Sequence, residues 1–217
     1  MTVNQKYRTI TTYNLDKIKI SKDDGFDMPT IQNDHFVPID LIGFNYAIKN
    51  KSKCVAIHFY IDDYQFERLW NHPEKYVETF KKCGCILSPD FSLYLDMPLP
   101  MKIWNTYRSR FLGQYYQKQG IKVIPTISWA DSNTYSFCFK GIPKGSIVSI
   151  STVGVIKNKT ATELWKKGVD EMIRQINPSI ILIYGSKIDY DFKDIDVRYY
   201  KNHNIERIKQ IEKKDNI

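Results

Sequence analysis

The sequence predicts an α/β fold: a mostly parallel sheet of about six to seven βα units, closed into an incomplete or modified (β/α) barrel. Three observations carry this expectation. Short, nearly continuous apolar runs recur along the chain, as parallel strands buried on both faces require, and Ile180-Ile181-Leu182-Ile183-Tyr184 is the clearest. Stretches with helical signals separate these runs, and that alternation implies crossover connections. Polar clusters follow the apolar runs directly, and ligands bind at the carboxyl ends of strands in parallel folds. Strand order is not legible from one sequence, so a doubly wound open sheet stands as the alternative.

The elements read in order as follows. Residues 1–35 are polar and turn-rich, and Gly25-Phe26-Asp27-Met28-Pro29 interrupts them. They form an N-terminal extension that packs across the body through Phe26, Met28 and Ile31. Residues 36–202 form a single α/β domain. Its first strand is Leu41-Ile42-Gly43-Phe44, and its second spans residues 55–61 and ends in Asp62-Asp63. Helical pattern fills residues 64–82, with Pro73 at a tolerated early position of a second helix. The strand Cys85-Ile86-Leu87 leads into the acidic loop 88–98, which carries Asp90 and Asp96. A helix covers about residues 99–119, with Gly120 as its stop. Residues 122–129 read as a strand despite Pro125.

A short helix is expected over residues 133–139 and a turn over 141–145. A strand covers residues 146–153. The helix over 160–176 places Ala161, Leu164, Trp165, Gly168, Val169 and Met172 on one face. Asn177-Pro178 ends it. The run 180–184, capped by Gly185, and Val197-Arg198-Tyr199-Tyr200 are the last strands. Residues 203–217 form a charged C-terminal helix or tail, with Ile205, Ile208 and Ile211 at helical spacing.

The chain of 217 residues carries a formal net charge of +8 and a pI of about 9.1, which favours a polyanionic partner. Acidic residues are interspersed with the basic ones, so a Lys-rich surface without such a partner is the competing explanation. The four cysteines, Cys54, Cys83, Cys85 and Cys138, form no C-x-x-C pair, and no His sits at zinc-finger spacing. They read as structural thiols of a cytoplasmic protein. The first residues have no apolar core segment, and no run of about 18 apolar residues occurs, so no membrane association is expected.

The candidate chemistry lies after strands, in Asp62-Asp63, Asp90 with Asp96, Ser128-Trp129 with Asp131, and Ser151-Thr152 with Gly154. Asp90, Asp62 and Asp131 are the catalytic candidates. Asp62 and Asp90 are the candidate ligands for Mg²⁺ or Mn²⁺, since carboxylate oxygens suit hard cations. A pair of carboxylates also suits acid–base work, and helix or turn capping is the competing role for each Asp. Arg108 and Arg110 offer planar forks for phosphate, with internal ion pairing as the competing role. Trp129 offers a stacking face. Ser151 and Thr152 begin a turn that could present N–H groups to phosphate. His58, in mid-strand, reads as a satisfied core residue. The sequence contains no G-x-x-x-x-G-K-[ST], G-x-G-x-x-G, G-x-S-x-G or H-E-x-x-H motif, which argues against a P-loop enzyme, a serine hydrolase and a zinc protease.

The segments 57–66, 87–92 and 124–129, together with 141–146 and 151–154, resemble an uncharacterised family found in phages, plasmids and conjugative elements of low-GC Gram-positive bacteria. The resemblance covers about residues 26–186. It implies a mobile-element setting and assigns no catalytic residues.

The favoured reading is a phage or mobile-element protein that acts on or binds nucleic acid or a nucleotide, as a metal-dependent phosphodiester hydrolase. Its rival is a non-enzymatic protein-binding factor that modulates host defence or replication, with some of the 15 tyrosines as anchors. A third reading uses Asp90, Asp131 and Trp129 as a sugar platform, and leaves the charge unused.

Overall fold

The computed structural model describes residues 13–18, 25–49 and 54–202. The expected charged tail, residues 203–217, lies outside them, as do the remaining residues of the N-terminal extension. The fold is mixed α/β, with two small parallel sheets. The first has strand order β1 (Asp40–Gly43), β2 (Val55–His58), β3 (Cys85–Leu87) and β4 (Val123–Ile124). The second has order β5 (Ile147–Ser151), β6 (Ile180–Tyr184) and β7 (Asp196–Tyr200). All strand pairs are parallel.

Both sheets meet at one parallel bridge, Thr126 to Ser149. The residues of the chain explain why the ladder thins there. Pro125 has no N–H to donate. The next donor, Thr126 N, goes to the Ser88 side chain at 2.9 Å rather than to a backbone carbonyl. Pairing with β3 therefore stops at Leu87 and Ile124. The chain then leans to β5, with Ile127 N donating to Ser149 O at 2.8 Å and Ser149 N to Pro125 O at 2.9 Å.

Seven strands do not make seven βα units, so the expected repeat is corrected. Two connections contain long helices: α1 (Leu99–Lys118), between β3 and β4, and α2 (Lys159–Ile176), between β5 and β6. The expected helical region 64–82 is four short pieces: the 3₁₀ turns Asp63–Gln65 and Pro73–Tyr76, and the one-turn helices Arg68–Asn71 and Val77–Phe80. His72-Pro73 breaks it, since the residue before proline is forced from helical geometry, and His72 sits at ψ 64°. The expected helix 133–139 is a 3₁₀ turn, Ser132–Thr134, followed by turns.

Helix α2 buries Trp165, Gly168, Val169, Met172 and Ile176, the i, i+3, i+4, i+7, i+11 stripe of an amphipathic helix. Asn158 caps its start by accepting from Ala161 N at 3.0 Å, and Asn177 ends it in left-handed geometry. Helix α1 has no such stripe. Lys102, Asn105, Thr106, Arg108, Ser109 and Arg110 are buried on it beside Phe111, Leu112, Tyr115 and Tyr116. One apolar cluster contains Leu41, Ala56, Leu87, Ile124, Ile147, Leu182 and Tyr200, one residue from each of the seven strands.

The N-terminal segment lies over the body. Met28 and Ile31 are fully buried, and the Phe26 ring is 5.9 Å from that of Phe137. Ile31 occupies the space that a Cβ on Gly113 would need, 2.3 Å from its Cδ1. Ile31 N donates to Gly141 O at 3.0 Å. Among the described residues, no helix is long and apolar enough to cross a membrane.

Candidate active site

In a strand, residues two apart point to one face. Four consecutive strand ends of this chain carry a polar residue, one intervening residue, then another polar residue: His58 and Tyr60, Ser88 and Asp90, Thr126 and Ser128, Ser149 and Ser151. Most of these side chains meet at the carboxyl edge of the sheets. Ser128 Oγ donates to Asp90 Oδ1. The Tyr60 hydroxyl shares a hydrogen bond with Ser149 Oγ at 2.7 Å. The Tyr60 ring stacks on Tyr184 at 5.2 Å, and the His58 ring lies 4.2 Å from Tyr184.

Asp90 is part-buried, and the desolvation of its carboxyl raises its pKa from the ordinary 3.8 to about 7. The Ser128 hydroxyl and the Arg110 charge pull it down, while the Asp63 charge pushes it up. Asp90 thus exchanges a proton near neutral pH. Burial, followed by the Asp90 charge, pushes the Tyr60 phenol well above its ordinary value, so that phenol stays protonated.

Helix α1 closes the cluster from one side. Ser109 Oγ and Ser88 Oγ share a hydrogen bond at 3.1 Å. Arg110, 2% exposed, donates to three carbonyls: Nε to Lys140 at 3.0 Å, Nη1 to Thr126 at 2.9 Å and Nη2 to Cys138 at 2.7 Å. Burial lowers its pKa to about 10, so it remains a cation at neutral pH. A cavity of about 10 Å³ lies between this helix and the strand ends, with Phe91, Asn105, Ser109, Arg110, Thr126 and Ser128 among its walls.

The other residues singled out in the sequence take different places. Asp62 is exposed at the head of the turn Asp63–Gln65. Its neighbour Asp63 accepts from Ser92 N at 3.2 and 3.1 Å and from Ser92 Oγ at 2.8 Å, which ties the loops after β2 and β3. Asp131 caps the turn Ser132–Thr134 by accepting from Asn133 N at 3.0 Å. Arg108 is buried, paired with Glu67 at 2.5 Å and Asn105 at 2.6 Å, and its guanidinium lies 3.8 Å from the Phe91 ring centroid. Trp129 packs against Gly168 of α2, and its indole N–H donates to Leu164 O at 3.2 Å. Ser151 Oγ and Thr152 Oγ1 donate to the carbonyls of Tyr184 and Ser186.

Of the predicted residues, Asp90 and Arg110 share this cluster. Tyr60, Ser88, Ser109 and Thr126 join them without a role assigned from the sequence, as do Ser149, from the hydroxyl-rich end of the strand before Ser151, and Ser128, which the sequence pairs with Trp129. The two-residue repeat of polar positions at strand ends was the signal that could have found the strand residues. Among the described residues, no three His, Cys, Asp or Glu side chains form a group that could hold a metal ion. Asp63, the neighbour of the expected Asp62, is the carboxylate whose charge is felt at Asp90.

A family model described as a domain of unknown function (DUF4417) matches residues 20–201. The chain is 41% identical over 185 residues to the "Gene 1 protein" of Mycobacterium phage L5, covering 82% of this chain and 80% of that protein. It is 36% identical over 188 residues to the "Gene 1 protein" of Mycobacterium phage D29, covering 85% of this chain and 66% of that protein. No solved structure matches. The unknown-function family and the phage relatives agree with the resemblance read from the sequence. Both relatives come from phages of Mycobacterium, so they lend nothing to low-GC hosts or to plasmids.

Proposed function

The chain belongs to the DUF4417 family of unknown function, and we propose that its carboxyl-edge cluster is an acid–base site for a phosphoester of a nucleotide or nucleic acid. In this reading the seven strands form one curved sheet, an incomplete (β/α) barrel. The bridge from Thr126 to Ser149 and the apolar cluster drawn from all seven strands support it. The protein works in the cytoplasm, in a phage or mobile-element setting, in keeping with its phage relatives.

One observation carries the proposal: a desolvated carboxyl, Asp90, takes a hydrogen bond from Ser128 among the hydroxyls of Tyr60, Ser149 and Thr126. A group that titrates near working pH is the efficient proton donor and acceptor. Ligand charge is met outside the cluster. Lys157, Lys159 and Lys187 are exposed in the segments after β5 and β6, and Tyr64, Tyr94 and Trp104 are exposed in those after β2 and β3. These give cations for phosphate and rings for bases. Arg108 and Arg110 are engaged within the protein and serve to hold Asn105 and the Thr126 carbonyl in place.

The test is binding of labelled single- and double-stranded DNA and RNA across salt, with turnover of bis(p-nitrophenyl) phosphate across pH. Binding that weakens steeply with salt is expected, and turnover should change around pH 7. Asp90→Asn should lower turnover by about 100-fold or more. No binding at low salt and no turnover would refute the reading.

A second reading, a protein-binding factor, is favoured by one exposed apolar surface. Tyr94, Leu95, Leu99, Met101 and Trp104 follow one another at the start of α1, each 39–62% exposed. A partner complex that survives nuclease and is lost on Trp104→Ala would establish it.

A further inference from the structure

Among the described residues, two buried side-chain polar atoms have no hydrogen-bond partner, Thr126 Oγ1 and Arg108 Nε. Thr126 is 3% exposed and lines the small cavity beside Asp90's partner Ser128. The Tyr60 phenol is near enough for Thr126 to favour its ionised form, while its 2.7 Å hydrogen bond is made with Ser149 Oγ. A buried hydroxyl left unpaired is costly, and Val would fill the same volume without that cost. The cavity wall is mixed, with the apolar side chains Phe91 and Leu93 beside polar residues. Its polar lining residues include Ser109, Arg110, Thr126 and Ser128. At about 10 Å³ it has room for roughly one water molecule, and it is partly open to the outside. Thr126 Oγ1 has an open hydrogen-bonding position, and Ser109 and Ser128 beside it are the further polar partners that a buried water requires.

We infer that this cavity holds one water molecule, bound by Thr126 Oγ1 and linked to Asp90 through Ser128, and that this water is the nucleophile of a hydrolysis at the site. The inference rests on the acid–base reading above. In the step, the water passes a proton to Ser128 Oγ as Ser128 passes its own to Asp90 Oδ1. The water oxygen bonds to phosphorus. The bond from phosphorus to the leaving alcohol breaks, and that oxygen takes the proton back from Asp90. Thr126 positions the nucleophile. The charged and titratable groups facing Asp90 are Asp63, Arg110 and Tyr60.

Thr126→Val and Thr126→Ser test this with readouts other than activity. A high-resolution crystal structure should show a water within hydrogen-bond reach of residue 126 in the wild type and in Thr126→Ser, and none in Thr126→Val. Carboxyl-detected NMR should show Asp90 titrating higher by roughly half a unit in Thr126→Val, because the hydroxyl chain that favours its charged form is cut. Thr126→Ser should restore the wild-type titration. With bis(p-nitrophenyl) phosphate, Thr126→Val should lower kcat by about tenfold or more at little change in KM. A dry cavity in the wild type, or an Asp90 titration identical in all three proteins, overturns the inference. Turnover untouched by Asp90→Asn would overturn the acid–base reading and the nucleophile with it, while a water seen on Thr126 would still support the binding site.

Discussion

Asp90→Asn removes one charge from a place that resists it, and the consequence for stability can be worked out. Folding raises the Asp90 pKa from 3.8 to about 7, so the fold favours the protonated carboxyl. The contribution of this group is fully present below about pH 4 and is lost as pH rises through about 7. The shift is roughly 3 units, and each unit is about 1.4 kcal/mol, so the ionised side chain costs up to about 4 kcal/mol at high pH. Asn keeps the shape and can still accept from Ser128. The variant should therefore match the wild type near pH 4 and exceed it by about 2–4 kcal/mol near pH 8. Urea unfolding of both proteins at several pH values measures this, and the difference between them cancels the other titrating groups. An Asp90→Asn protein less stable near pH 8, or a difference that does not grow with pH, would refute the burial argument. The same substitution is expected to cost turnover, so stability and activity should move in opposite directions.

Three other substitutions probe the surroundings. A Cβ on Gly168 would stand 2.0 Å from Trp129 Nε1, so Gly168→Ala should lower thermal stability by about 1–2 kcal/mol, overpacking outweighing the better helix propensity, and should shift the Trp emission. A neutral result would mean that the indole is not seated there. Arg110→Met leaves three carbonyls without their donor and should cost about 3–5 kcal/mol in a denaturant melt, with an unchanged midpoint as the refuting outcome. Asp131→Ala removes a cap and should cost about 1 kcal/mol or less. A loss of turnover far beyond that would return Asp131 to the site.

The strands were legible because apolar runs in parallel sheets are short and continuous, and Cys85-Ile86-Leu87 and Ile180-Ile181-Leu182-Ile183-Tyr184 mark observed strands residue for residue. Helix α2 was legible from its apolar stripe and its Asn177-Pro178 end. The region 64–82 reads as two helices divided at Pro73, but short turns satisfy the same spacings: Phe66, Leu69, Trp70, Val77 and Phe80 are buried from 3₁₀ turns and one-turn helices. The strand around Pro125 was expected to be longer because the loss of one N–H, and the diversion of the next to Ser88, depends on a partner 38 residues away. Asp90 was found from its place after a strand. Tyr60 and Thr126 are not legible because a lone hydroxyl has no signature, and their place follows from the two-residue register that four strand ends share.

Helix α1 explains how such a cluster is held. A helix normally contributes an apolar face, but α1 buries Asn105, Thr106, Arg108, Ser109 and Arg110, and each is answered by a specific acceptor or donor: Ser92 O, Lys102 O, Glu67, Ser88 and three backbone carbonyls. Hydrogen bonds have direction, so this face fixes the helix against the strand ends more narrowly than apolar packing would. The next turns of α1 are clamped from outside, where Ile31 lies over Gly113, Gln114 donates to Thr30 O, and Gln117 both donates to Gln32 O and accepts from its N–H. The N-terminal segment therefore braces α1, the helix that packs beside the carboxyl-edge cluster. That helix carries Arg110, which the carbonyls of Lys140, Thr126 and Cys138 fix beside the cavity.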